Sequence, residues 1–469
     1  MTKLWTTKDL LAATGGRLAG DAPAAIGGLS IDSRGVKPGE AFVAIRGDRF
    51  DGHDFVSSAL EAGAALAIVS EGRVAEAAGP LLLVPDDPLQ ALERIGAAAR
   101  ARMRGSVVAV TGSVGKTGAK EMLRLALSAI GPTHAPVGSF NNHWGVPLTL
   151  ARMPANTVYG VFEIGMNHSG EIRPLTRLVR PHAAIVTTVE PVHLEFFAGE
   201  SDIAEAKAEI FEGLEAGGAA VLNRDNRWFD LLRERARDHG ARIVSFGEHP
   251  SADMRLERVT LREDGSSIQA VLHGTPMSYR LGAPGRHLVQ NSLAVLAAAA
   301  AIGADLARVA LALGQFRAPK GRGERIRLAH PGGSFLLLDE TYNANPASMR
   351  AALALLGQAQ PQGHGRRVAV LGDMLELGSE TEALHRGLLD AVRASRADVV
   401  FLAGPVMQAL WQDLPEACRG AYAISAAELE PILLDAVGPG DVVMIKASLG
   451  AKLGALVEGL NSRFARAAA

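Results

Sequence analysis

The chain has 469 residues, 48% hydrophobic and 21% charged, enough for about three domains that each bury a core and far from the composition of a disordered polypeptide. Lysine and arginine number 48 against 50 acidic residues, a net charge of -2, so no basic excess points to nucleic acid or an anionic membrane. The single cysteine, Cys418, excludes an internal disulfide and a cysteine zinc cluster, which fits a reducing, cytoplasmic compartment. Residues 1–10 carry Lys3, Lys8 and Asp9 and do not read as a signal peptide, and the longest apolar run, 293–304, is too short to span a bilayer and reads as a buried helix.

In chain order, short β-like runs at 41–45, 65–69 and 81–84, with a helical stretch at 54–62, predict a small α/β domain over residues 1–100. From 106 onward, buried-strand runs at 107–110, 160–164, 184–188, 219–222 and 242–245 alternate with helical patterns. This predicts a central P-loop domain over 101–317, a doubly wound, mostly parallel sheet with ligands at the carboxyl ends of its strands. Residues 254–281 alternate polar and apolar around Asp264-Gly265 and predict a small antiparallel appendage. A Gly- and Arg-rich linker at 319–325 opens a Rossmann-like α/β domain over 318–469, with strands expected at 334–338, 367–371, 398–403 and 441–445. The expected fold class is therefore α/β with three domains.

The sharpest motif is Thr111-Gly-Ser-Val-Gly-Lys-Thr117, placed after a strand and before a helix. Gly112, Ser113, Val114 and Gly115 can turn backbone amides onto phosphate oxygens. Lys116 reaches the outer phosphates, and the Thr117 hydroxyl can ligate Mg²⁺. Two residues rather than four separate the glycines. Glu163 closes a predicted strand and His193 follows another, so both would face the same crevice, where a carboxylate and an imidazole suit Mg²⁺. Taken alone, a histidine such as His193 is more often a packed or surface residue, and Lys207 reads by default as a solvated helix lysine.

The phosphate loop, extended through Glu121, resembles that of the Mur ligases, which add amino acids to the peptidoglycan precursor. Phe140-Asn-Asn-His-Trp-Gly-Val-Pro-Leu148, Asp339-Glu-Thr-Tyr-Asn-Ala-Asn-Pro346 and Leu371-Gly-Asp-Met-Leu-Glu-Leu-Gly378 are similar to the member joining D-alanyl-D-alanine to UDP-MurNAc-tripeptide. The resemblance implies ATP-dependent ligation through an acyl phosphate and two Mg²⁺ ions held by Glu163 and His193. It also implies a carbamoylated, CO₂-derived lysine at Lys207, and a domain-closing arginine at Arg322 with Arg325 as the competing choice. It implies adenosine contacts from Asn291 and Asp339. For the precursor it offers Ser33 and Arg34, with Asn141 and Asn142, and for the dipeptide or precursor peptide Asn343 and Asn345. Two departures stand out: Leu288 where the family has the first Asn of Gly-x-His-Asn-x-x-Asn, and Ala447 with Leu449 in the ending around Lys446 and Ser448. The resemblance implies small-molecule partners, with no nucleic acid and no membrane span, and leaves the oligomeric state open, a monomer included. Two alternatives remain: another amino-acid ligase of the same family, and a nucleotide-switched binding protein, faintly echoed by Asn223-Arg-Asp225.

Overall fold

The computed structural model describes residues 3–76, 79–192 and 194–467. Three principal sheets divide them. The first holds β1 (Arg17–Ala19), β2 (Gly28–Ser30), β3 (Glu40–Val43), β4 (Leu66–Ser70) and β5 (Leu81–Val84) in the order β1-β5-β4-β3-β2, all parallel except the β1 edge. β2 was missed from sequence because Gly28 and Ser30 interrupt any β-branched run. Helix α1 (Pro88–Arg102), capped by the Asp87 carboxylate and with proline in its first turn, leads out of this sheet.

The central sheet has nine strands: β6 (Ser106–Thr111), β7 (Thr133–His134), β8 (Tyr159–Glu163), β9 (Ala183–Val186), β10 (Ala219–Asn223), β11 (Arg242–Gly247), β12 (Met254–Arg262), β13 (Gly265–Leu272) and β14 (Thr275–Leu281). Their order is β14-β13-β12-β11-β10-β9-β6-β8-β7, parallel from β12 to β7, with antiparallel hairpins at the β12–β14 end. The residues expected as an appendage thus extend the main sheet, because Phe246 and Gly247 of β11 pair in parallel with Met254 and Arg255. Helices α2 (Lys116–Ser128), α3 (Glu200–Ala208) and α4 (Arg286–Ala301) flank this sheet. The apolar run at 293–304 falls within and just beyond α4, and residues 293–299 are buried, as a 12-residue apolar stretch requires in a globular core.

The third sheet comprises β15 (Glu324–His330), β16 (Gly333–Glu340), β17 (Arg367–Gly372), β18 (Val399–Ala403), β19 (Arg419–Ala423) and β20 (Val442–Lys446), in the order β15-β16-β20-β17-β18-β19. Only β15 is antiparallel. It occupies residues read from sequence as the end of a linker and a gap, because its alternation of Ile326 and Leu328 with charged neighbours is short and follows a Gly/Arg-rich turn. Helix α5 (Pro346–Gln358) starts at Asn345, whose side chain and that of Ser348 form a reciprocal cap.

The first two sheets share one core. Ile68, Leu82 and Val84 of the first sheet, Leu92 and Ile95 of α1, and Val107 and Phe162 of the second form a single buried cluster. Two polar ties cross it: Trp5 Nε1 donates to the Ala151 carbonyl at 2.8 Å, and buried Arg100 donates to the Val179 and Arg180 carbonyls at 2.8 and 2.7 Å. The third sheet buries its two faces in clusters of its own, between Ile326 and Phe464 on one side and Leu336 and Met444 on the other. No helix among the described residues is long and apolar enough to cross a membrane.

Candidate active site

Strand register assembles the site. β8 sets Glu163 beside Val110, and β9 sets Val186 beside Thr111, so the chain leaves three adjacent strands at one level, where the phosphate loop begins. Gly112 has φ +145° and a Cβ there would lie 1.9 Å from Thr187 Oγ1; Gly115 has φ +89° and faces Asn291 at 2.7 Å. Only glycine fits both the torsion and the space. Ser113 is locked by its backbone N–H to the Thr188 carbonyl at 2.8 Å and by its hydroxyl to the Glu190 backbone at 3.0 and 2.9 Å. Thr187 Oγ1 donates to the Val114 carbonyl at 2.5 Å.

α2 begins directly after this loop, so its free N–H groups and partial positive charge face the same point. Lys116 Nζ lies over the loop and donates to the Gly112 carbonyl at 2.6 Å. Burial pushes its ammonium below the ordinary lysine value; the Glu163 charge opposes this and the Arg322 charge adds to it. Thr117 Oγ1 donates to Glu163 Oε2 at 2.9 Å, while Asn141 Nδ2 donates to Glu163 Oε1 at 2.7 Å. A buried hydroxyl and carboxylate beside a phosphate loop are hard oxygen donors of the kind Mg²⁺ takes, so these residues fit the ion.

A cleft of about 500 Å³ runs from this loop to the third sheet. Gly115, Lys116, Thr117 and Glu163 line one end, and Arg322, Asn343 and Asn345 the other. Arg322 stacks on the Tyr342 ring at 3.9 Å and its Nη2 donates to Ser139 Oγ at 3.4 Å. Arg325 turns away, pairing with Glu263 of the central sheet's hairpin at 3.4 Å. Of the two arginines, Arg322 is therefore the one in the cleft. β16 and β20 place Glu340 beside Lys446, and Lys446 Nζ donates to the Asn343 carbonyl at 2.9 Å and approaches Glu340 Oε2 at 3.5 Å. Burial holds both Lys446 and His287 below their ordinary values.

Several sequence-selected residues sit differently from expectation. Asp339 is buried, but its oxygens accept from Gly321 N–H at 3.1 Å and from the Thr341 N–H and hydroxyl at 3.1 and 2.7 Å, so in this arrangement it orders the loop before β15 and does not line the cleft. Asn291, expected at a base, donates to the Gly115 carbonyl at 3.3 Å and so braces the phosphate loop from the cleft wall. Asn142 accepts from Gly145 N–H at 2.9 Å in the turn that leads into the short helix Gly145–Ala151; Asn345 caps α5. Ser33 and Arg34 lie in the turn after β2, away from the cleft, where the exposed Arg34 guanidinium forks onto Asp32 with both contacts at 3.0 Å. Lys207 is buried on α3, unlike a solvated helix lysine, and burial pushes its ammonium well below the ordinary value, the Lys116 charge adding to this. His193 lies outside the described residues.

Sequence reasoning missed Thr187, Glu190, Gln290 and Glu340. Thr187 lies at the end of the strand predicted at 184–188 and Glu190 just after it, which was the available signal, but neither residue type is bound to phosphate-loop chemistry. Burial pushes the Glu190 carboxyl upward, with the Thr188 hydroxyl opposing. Lys120 is fully buried, gripping Glu121 and the Pro136 and Gly138 carbonyls at 3.3 and 3.1 Å, and so holds the strand-to-helix segment that carries Asn141.

Comparison with known proteins agrees with this geometry. Residues 25–111 match the Mur ligase family catalytic domain, 110–299 the Mur ligase middle domain, and 321–449 the glutamate ligase domain of Mur ligases. A UDP-N-acetylmuramoyl-tripeptide--D-alanyl-D-alanine ligase of Escherichia coli K12 is 37% identical over 81% of this chain and 82% of its own. A Bacillus subtilis protein of the same name is 32% identical over 93% of each chain. The crystal structure of MurF from Acinetobacter baumannii superposes with a TM-score of 0.86 at 32% identity, covering 98% of this chain and all of that one. MurF from Thermotoga maritima in complex with ADP gives 0.77 at 26% identity, covering 93% and 97%. The three-sheet architecture is thus that of a Mur ligase, and the chain belongs to that family.

Proposed function

We propose that the chain ligates D-alanyl-D-alanine to UDP-MurNAc-tripeptide at the expense of ATP, yielding UDP-MurNAc-pentapeptide, ADP and phosphate in peptidoglycan precursor synthesis. The observation that carries this is the cleft itself, with a phosphate loop at one end and the Tyr342-Asn-Ala-Asn345 segment at the other, in a chain 37% and 32% identical to the Escherichia coli and Bacillus subtilis proteins of that ligase name. A carboxylate oxygen of the tripeptide attacks the γ-phosphorus, and the bond to the ADP oxygen breaks. The dipeptide amine then attacks the resulting acyl phosphate, phosphate leaves with its electron pair, and the amine proton passes to solvent. No protein nucleophile is needed. Lys116 and the loop amides hold the phosphoryl oxygens, and Arg322 adds positive charge from the third domain. Thr117 and Glu163 would hold Mg²⁺, which supplies charge neutralisation at the transferring phosphate.

Residues 1–100 would take the UDP end of the precursor, 101–317 the ATP phosphates, and 318–469 the adenosine clamp and dipeptide. Ser33 and Arg34 remain proposed for the UDP end, Asn141 with Asn142 for the precursor, and Asn343 with Asn345 for the peptides. Two ions, with His193 serving the second, and a carbamate on Lys207 belong to the same reading. Support for the carbamate comes from burial of Lys207, which favours the neutral amine, the form that bonds CO₂ while losing a proton. A cytoplasmic location belongs to the same reading, since ATP and a UDP-linked substrate would be drawn from that compartment. The test is product formation from purified UDP-MurNAc-tripeptide, ATP and a panel of dipeptides. Phosphate release that requires both precursor and D-alanyl-D-alanine is the expected result, and release indifferent to the dipeptide refutes the reading.

A further inference from the structure

Helix α2 reaches both oxygens of the Glu163 carboxylate, once directly and once by way of a buried lysine. The direct contact is Thr117 Oγ1 on Oε2 at 2.9 Å. The other begins at Lys120, three residues further along the helix and 0% exposed. Its ammonium has three protons and meets three acceptors: the Glu121 carboxylate, and the Pro136 and Gly138 carbonyls at 3.3 and 3.1 Å. Those carbonyls belong to the segment between β7 and Asn141. Among the described residues, the carbonyls of 136–140 accept hydrogen bonds only from Lys120 and from the Asn141 N–H, which reaches Ser139 at 2.9 Å. Nothing lies within 4 Å of a Cβ added at Gly138, so the tie to that residue acts through its carbonyl alone.

At its far end the segment is seated on the exit of β8. Gly165 N–H donates to the Asn141 carbonyl at 2.8 Å, and a Cβ added at Gly165 would lie 3.0 Å from the Asn141 side chain. From this seat Asn141 Nδ2 donates to Glu163 Oε1 at 2.7 Å. A carboxylate only accepts, so this bond fixes which way the amide points and commits its nitrogen to the protein's own acid. Glu163 and Asn141 both line the cleft. The carboxylate is therefore braced by Thr117 on one oxygen and by Asn141 on the other. Burying an ammonium is expensive, and an apolar side chain would suit a helix position flanked by buried Ala119, Met122 and Leu123. What lysine supplies there, and an apolar residue cannot, is a grip on the main chain of another segment.

We propose that Lys120 is a positioning residue: through the 136–141 segment and the Asn141 amide it holds the Glu163 carboxylate in one orientation for a divalent cation. The inference rests on the reading of Thr117 and Glu163 as the Mg²⁺ site. It is tested by Mn²⁺ binding to the full chain at saturating ADP, followed by the electron paramagnetic resonance of the free ion, beside urea unfolding without metal. Asn141→Ala is expected to weaken Mn²⁺ binding about 10- to 100-fold. Lys120→Met/Glu121→Gln, which removes both charges of the buried pair together, is expected to weaken it about 10-fold. Lys120→Arg, which keeps the charge beside Glu121 but not the geometry of the two carbonyl contacts, should do the same. Adding Asn141→Ala to Lys120→Met/Glu121→Gln should give a value within about threefold of Asn141→Ala alone, because both act through one bond. Arg100→Met, which loses buried hydrogen bonds elsewhere, should leave Mn²⁺ affinity within about twofold of wild type. Wild-type affinity in Asn141→Ala, or in either Lys120 variant that folds, overturns the proposal. So does a combined variant about tenfold weaker than Asn141→Ala, or an Arg100→Met chain that loses Mn²⁺ as the Lys120 variants do, since the effect is then a general loosening. If wild type binds no Mn²⁺, or no better than Glu163→Gln does, the Mg²⁺ reading falls and the proposal with it. Binding lost in Glu163→Gln but unmoved by Asn141→Ala sinks the proposal alone.

Discussion

Gly112→Ala isolates how the phosphate loop is held. The residue sits at φ +145°, and an added Cβ would meet Thr187 Oγ1 at 1.9 Å, so the Thr187 hydroxyl must move off the Val114 carbonyl it reaches at 2.5 Å. The torsional cost is about 1–3 kcal/mol, and the lost hydrogen bond adds about 1 kcal/mol. Together they predict a loss of about 2–4 kcal/mol in urea unfolding at unchanged m-value. The loop amides that aim at phosphate shift with it, so kcat/KM for ATP should fall about 100-fold. Gly138→Ala is the control: φ is +71° but nothing lies within 4 Å of its added Cβ. It should cost about 1–2 kcal/mol and leave kcat/KM for ATP within about twofold of wild type. If Gly112→Ala keeps wild-type stability and ATP turnover, the tight-approach argument is wrong.

Arg100→Met strips the donors from the Val179 and Arg180 carbonyls, and should cost about 2–4 kcal/mol in the same unfolding assay. Arg322→Ala should lower kcat by about 100-fold or more in the phosphate-release assay, whereas Arg325→Ala, removing a contact to Glu263, should stay within about threefold. Lys207→Ala should lose most activity and regain part of it with added short carboxylates; full activity in the variant refutes the carbamate. His385, fully buried, accepts Met374 N–H on Nε2 at 2.9 Å while Nδ1 faces the Thr381 carbonyl at 2.6 Å, and burial holds it below the ordinary 6.5. The unfolded chain therefore takes up the extra proton. Its contribution to stability is intact above pH 6.5 and declines as pH falls toward the folded-state value, by about 1.4 kcal/mol per pH unit. His385→Gln should flatten that part of the unfolding profile.

The sequence made legible what is local. Thr111 to Thr117 announces a strand, a turn and a helix within seven residues, and Glu163 ends a run of buried apolar residues, so both could be placed at the crevice. Residues whose work depends on register or distant partners were not legible. Asp339 looks like any strand-end acid until Gly321 and Thr341 are seen to fill its oxygens. Asn142 and Asn345 share the amide chemistry of Asn141, yet one accepts within the turn before a helix and the other caps α5. Gln290 acquires meaning only when Asp225 and Glu248, about 65 and 42 residues earlier in the chain, fix its amide. The hairpins at 254–281 were read as separate because alternation reports exposure on one face, whereas membership of a sheet is set by an edge pairing that leaves no trace in composition.

The apolar cluster common to the first two sheets has a consequence for cooperativity. Cutting the chain near residue 104 would strand Leu92 and Ile95 on one fragment and Val107 and Phe162 on the other, each missing its packing partner. An isolated fragment 1–104 should therefore aggregate, whereas one starting near 318 keeps both of its clusters whole and should fold unaided. Calorimetry of the full chain should resolve two melting units and not three, with the boundary at the Pro319–Gly323 turn. Relative motion within the molecule is then confined to a single joint, the one that carries Arg322.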